Sequence, residues 1–110
     1  MEAKGADLLV YVIGSWIFSS HVITAVNDLK TPFVLYGISD NIANGNLGAS
    51  LQIKYVLREM GKKFLYLCGK IKDEENHKKI KRYLMAAWVK KTLRNRKLAT
   101  IGGKCMMMYQ

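Results

Sequence analysis

The chain is poor in the residues that usually announce a site. It has one proline, two cysteines (Cys68 and Cys105), two histidines and only eight acidic residues in 110. Two cysteines cannot form the disulfide framework of a small secreted domain, and with no signal-peptide pattern at the N-terminus this places the chain in a reducing cytoplasm. Its apolar runs, such as Leu8 to Ile13 and Tyr83 to Val89, fall far short of the ~20 residues that cross a bilayer. The sequence therefore predicts no membrane span. His21 and His77 are far apart, and no HxxxH, CxxC or paired-carboxylate spacing accompanies them, so no metal site is expected within the chain. Gly61-Lys62-Lys63 and Gly103-Lys104-Cys105 lack the frame of a phosphate-binding P-loop. Cys105 has no neighbouring base to activate it, and no catalytic residue can be named.

What is present is a folding pattern. Half the residues are hydrophobic and 24% are charged, a globular composition sufficient for one domain with a core. Ala6–Ile13, Pro32–Ile38, Lys63–Cys68 and Lys97–Ile101 read as four strands. They are nearly continuously apolar, as in a parallel sheet covered on both faces. Between them lie helical periodicities. Val22, Val26 and Leu29 follow a Ser19 or Ser20 N-cap, and a helix over 19–30 stops before Pro32. Ile53, Val56, Leu57 and Met60 mark a helix over 47–60 that Gly61 ends in a left-handed conformation. Asp73, Glu74 and Glu75 open a helix over 73–95 whose basic end complements its dipole. The order predicts an α/β, Rossmann-like or flavodoxin-like layered domain with a four-stranded parallel sheet flanked by helices.

Charge is unevenly spread. Residues 1–53 hold two basic and four acidic residues, whereas residues 54–110 hold sixteen basic and four acidic, a net +12. Such an excess fits a nucleic acid or another polyanion, but lysines on the solvent face of an amphipathic helix are usually just solvated, and that is the favoured reading. A nucleic-acid binder would interleave aromatic with basic residues on one exposed surface, and Phe64, Tyr66, Tyr83 and Trp88 read instead as buried. The run Tyr83 to Val89 is apolar on more than one helical face. That predicts a second apolar contact, with another domain or with a second copy in a homo-oligomer. The glycine-rich stretch Gly37–Gly48 falls where a strand gives way to a helix, a position used for ligands, although it lacks the GxGxxG pattern.

Taken in order, these segments resemble the N-terminal region of L-fucose isomerase-like and related L-arabinose isomerase-like sugar isomerases. ADLLVYVIGSWIFSSHVI is similar to the family's strand, tryptophan-containing turn and helix. TPFVLYGIS and GNLGASLQIKYVLREMGKKFLYLCGK are similar to the next strand, helix and strand. KKIKRYLMAAWVKKTLRNRKLATIGGKCMMMYQ resembles the inter-domain helix, the first strand of the second domain and its turn. The resemblance implies an N-terminal-type domain over 1–95 and the start of the next over 96–110. It also implies a chain truncated at both ends, because the family's enzymes are several times longer.

The family interconverts aldoses and ketoses with Mn²⁺, whose carboxylate and histidine ligands lie in regions this chain does not have. The resemblance thus implies a fragment or truncated homologue, inactive alone, whose partners are the remaining isomerase domains or further copies. It assigns substrate contact to Trp16 in the turn after the first strand and to Met106, Met108 and Tyr109 in the terminal turn, where Met107 replaces the family's usual glycine. An indole beside a strand end can stack on a sugar ring. Trp16 reads equally as a core or interface anchor. The alternative function is a small basic α/β module binding nucleic acid or another polyanion. A flavin or nucleotide binder of flavodoxin-like architecture is a third possibility that lacks the loop chemistry.

Overall fold

The computed structural model describes residues 5–40, 45–94, 96, 97 and 99. They form β1 (Leu9–Ile13), α1 (Ser19–Val26), β2 (Phe33–Ile38), α2 (Asn46–Glu59), β3 (Leu65–Gly69) and α3 (Glu74–Arg94). The α/β class and the parallel sheet are as expected. The described residues hold three strands rather than four, in the order β1-β2-β3. Within the expected strand Lys97–Ile101, Lys97 and Ala99 are in no strand, and the other three residues lie outside the described set. Cys105 and the residues after it also lie outside.

Register follows from Pro32, which has no N–H to give to a ladder. Its carbonyl accepts the Leu9 N–H at 3.0 Å, and pairing then runs from Leu9↔Phe33 to Ile13↔Gly37. This is why β1 begins three residues later than the expected strand Ala6–Ile13. β2 pairs with β3 from Val34↔Leu65 to Ile38↔Gly69. α1 is shorter than its periodicity predicts. Asn27 and Asp28 turn the chain, with the Asn27 amide donating to Asp28 Oδ1 at 3.1 Å, and the Lys62 ammonium takes the Asn27 carbonyl, so the last turn is spent before Leu29. α2 ends as predicted, with Gly61 at φ +72°.

The two sheet faces are covered unequally. On one face, Ile13, Phe33 and Leu35 pack with Val22 and Val26 of α1 and Ala49, Ile53 and Leu57 of α2. Phe33 is the hinge of the aromatic row there: it stacks on Phe64 at 5.4 Å and meets Tyr11 edge-on at 5.8 Å. α2 lies so close to β2 that a Cβ at Gly37 would be 2.8 Å from Ser50 Cβ; only glycine fits that crossing. On the other face Val34, Tyr36 and Leu67 meet Ile80 and Tyr83 of α3. Here β1 is left open. Val10 is 45% and Val12 52% exposed, which corrects the expectation that every strand is covered on both sides.

Length explains much of this. α3 has 21 residues and so spans ~31 Å, whereas strands of five or six residues span ~17–20 Å. The helix starts at the end of β3 and runs back to the start of β1, where Lys91 pairs with Asp7. Ile80, Tyr83 and Ala87 are half-buried, and beyond Ala87 only Thr92 remains so. Trp88, Val89 and Leu93 are exposed because they lie off the stripe of Ile80, Tyr83 and Ala87 that faces the sheet, and Arg96 and Lys97 follow the helix as exposed coil.

Candidate functional site

In a parallel sheet every strand ends at the same edge, and the loops there are the usual ligand position of α/β proteins. In this chain that edge gathers Gly14–Phe18 after β1, Ser39 and Asp40 after β2, the start of α2, and Lys70–Asp73 after β3. Trp16 lies on the first turn of α2. A Cβ at Gly45 would be 3.1 Å from Trp16 Cε3 and one at Gly48 3.8 Å from Cζ3, so the two glycines leave the helix backbone open to the indole. Gly45 is left-handed at φ +63°, a conformation glycine adopts without strain. The structure thus joins two features that are about thirty residues apart in sequence. Trp16 is 54% exposed and Phe18 65%, and Phe18 lies 6.3 Å from the His21 ring. Together they make an aromatic rim on this edge.

The polar groups of the β2 and β3 ends are already occupied. The Ser39 N–H donates to the Gly69 carbonyl at 2.9 Å. Asp40 Oδ2 accepts the Ile71 N–H at 2.9 Å. Asp73 caps α3 through Oδ1, which accepts the Asn76 N–H at 3.1 Å, in the N-cap arrangement that satisfies a free helix donor. Tyr36 donates its hydroxyl to the Lys70 carbonyl at 2.5 Å. Asn76 Nδ2 donates to the Cys68 carbonyl at 3.0 Å and to Asp73 Oδ2 at 3.2 Å. These carboxylates brace the β3–α3 turn.

Among the described residues no group of three or more His, Cys, Asp or Glu is gathered. Asp40 and Asp73 each hold a backbone N–H, and among the described residues no third ligand joins them. The Ser50 hydroxyl, too, is engaged. Ser50 is fully buried, with its hydroxyl donated to the Leu47 carbonyl at 2.9 Å and 3.1 Å from the Tyr66 hydroxyl. Burial pushes the Tyr66 phenol above its ordinary value, against the lowering effect of the Ser50 hydrogen bond.

Of the residues expected to contact substrate, Trp16 is at this edge, whereas Met106, Met108 and Tyr109 lie outside the described residues. Sequence reasoning missed Phe18, whose exposure cannot be told from that of any apolar residue at a loop–helix junction. It also missed Asn46, which is 1% exposed, accepts the Leu47 N–H through Oδ1 at 2.9 Å and has no partner for Nδ2 among the described residues. The chain matches no protein-family model, no curated protein and no solved structure. No helix among the described residues is long and apolar enough to cross a membrane.

Proposed function

We propose that this chain is a sugar-contacting α/β unit of the kind found at the N-terminus of aldose–ketose isomerases, supplying a binding edge and no catalysis of its own. The supporting observation is Trp16, an exposed indole laid on the glycine-rich start of α2 at the C-terminal edge of a parallel sheet. A flat apolar ring with polar backbone beside it suits the apolar face of a pyranose or an open-chain sugar. Isomerisation needs a base and an electrophile at one carbon, and the carboxylates of this edge are held in turns. In this reading those groups come from other domains or from further copies, and this chain closes over the sugar.

The test uses the Trp88→Phe variant, in which Trp16 is the sole tryptophan. L-fucose, L-arabinose and D-arabinose are titrated at millimolar concentration while emission is followed. A saturable change with at least one sugar, independent of Mn²⁺ and abolished by replacing Trp16 with Ala, is expected, together with no ketose formed. Emission unchanged by all three sugars would overturn the binding role, and metal-dependent turnover by the isolated chain would overturn the absence of catalysis.

A further inference from the structure

At the opposite edge of the sheet, α3 carries a second exposed indole. Trp88 is 49% exposed, which corrects the reading that made it core, whereas Phe64, Tyr66 and Tyr83 are half-buried. With Asp7, Lys91, Thr92 and Arg96, Trp88 walls a shallow depression, in which Asp7 is the one acidic group, and nearer the start of α3 Lys78, Lys81 and Arg82 surround Met85 in another. Between Lys78 and Lys97 there are nine basic residues and no acidic one. All nine are exposed, and Lys91, through Asp7, makes the only ion pair among the described residues.

A merely solvated helix face is built differently. Its charges alternate in sign so that residues four apart attract, whereas here Lys78 and Arg82, and Lys90 and Arg94, repel at that spacing. Such a face also keeps large apolar groups away from water. α3 exposes Leu84, Met85, Trp88, Val89 and Leu93 among its cations. A partner for this surface must bring repeated negative charge and flat apolar area together. A duplex supplies the charge and hides the faces of its bases, and an acidic peptide supplies carboxylates without them. A single strand offers both, since its phosphates neutralise Lys and Arg while an unstacked base lies on an indole.

We infer that α3 from Lys78 to Arg94, with Arg96 and Lys97 after it, is a docking surface for single-stranded nucleic acid, with Trp88 as its stacking platform. The surface uses none of the residues of the Trp16 edge, so either proposal can fail without the other.

The experiment takes the Trp16→Phe variant, in which Trp88 alone emits, and titrates it with a fluorescein-labelled oligouridylate of fifteen nucleotides, following both tryptophan emission and anisotropy. Expected are quenching that tracks binding and an affinity that falls with salt at a log–log slope of about −0.7 per phosphate neutralised. Replacing Trp88 with Ala should weaken binding about tenfold or more, with Trp88→Phe restoring part of it. Lys81→Gln and Arg82→Gln should each reduce the salt slope. Far-UV circular dichroism checks the fold of each variant, which solvent exposure of all three side chains leaves intact. Equal binding of duplex, heparin or polyglutamate without quenching, or an unchanged affinity in the Trp88→Ala variant, would overturn the proposal.

Discussion

The two faces of the sheet are built from the same β2, whose first five residues are buried, yet they are closed by different means. Under α1 and α2 the contacts are aliphatic and continuous, with Val26, Leu35, Ala49, Ile53 and Leu57 fully buried. Under α3 the one buried helix residue among those described is polar, Asn76. A face sealed by interdigitated side chains resists change everywhere, whereas a face held by one amide peg and a few half-buried residues leaves the rest of its helix free for other work. Both exposed indoles obey this division: Trp16 rests on the closed layer at one edge of the sheet, and Trp88 projects from the open layer at the other.

Cavity formation gives the sharpest contrast. Ile53→Ala on the closed face should cost about 2–5 kcal/mol, read as a lower urea midpoint with an unchanged slope. Val12→Ala on the open face removes a side chain already half in water, and should cost under ~1 kcal/mol. Equal losses at the two positions would break the comparison.

A smaller effect is expected at the peg. Asn76 is 6% exposed, and its Nδ2 also lies 3.4 Å from the Tyr36 hydroxyl. Asn76→Ala strands the Cys68 carbonyl and should cost about 1–3 kcal/mol. Hydrogen exchange should quicken along α3 with α1 and α2 keeping their protection. Loss spread evenly over all three helices would show that α3 does not open on its own.

The smallest effect is a dependence on pH. Because burial raises the Tyr66 phenol from its ordinary value of 10.0, the folded chain holds that proton more tightly than the unfolded chain does. The resulting stability is complete below pH 10 and is lost as pH rises through the raised folded value. Denaturation at pH 8 and above pH 10 should therefore show an alkaline loss that Tyr66→Phe reduces. An unchanged alkaline slope in that variant would place the titrating group elsewhere.

Much of the fold was legible in the chain. The periodicity of Ile53, Val56, Leu57 and Met60, closed by Gly61, brought α2 to within a residue at each end, and Glu74 and Glu75 after Asp73 marked the start of α3. The ends of β1 and α1 were not legible, because one depends on the Pro32 carbonyl and the other on a lysine thirty-five residues away. The candidate edge was half legible: Trp16 and the glycines of α2 were each singled out, while their contact spans the whole of β2.

By itself the sequence determined the class of the fold, since strand-like runs alternating with helical periods have few ways to bury their apolar sides. It also determined the excess of positive charge in the second half. Which side chains face water was settled only in three dimensions. Trp88 and Val12 lie in apolar runs indistinguishable from those that are buried. Trp88 lies off the stripe of α3 that packs on the sheet, and Val12 on the strand face that α3 leaves uncovered; burial depends on what lies against a residue, which no local pattern records.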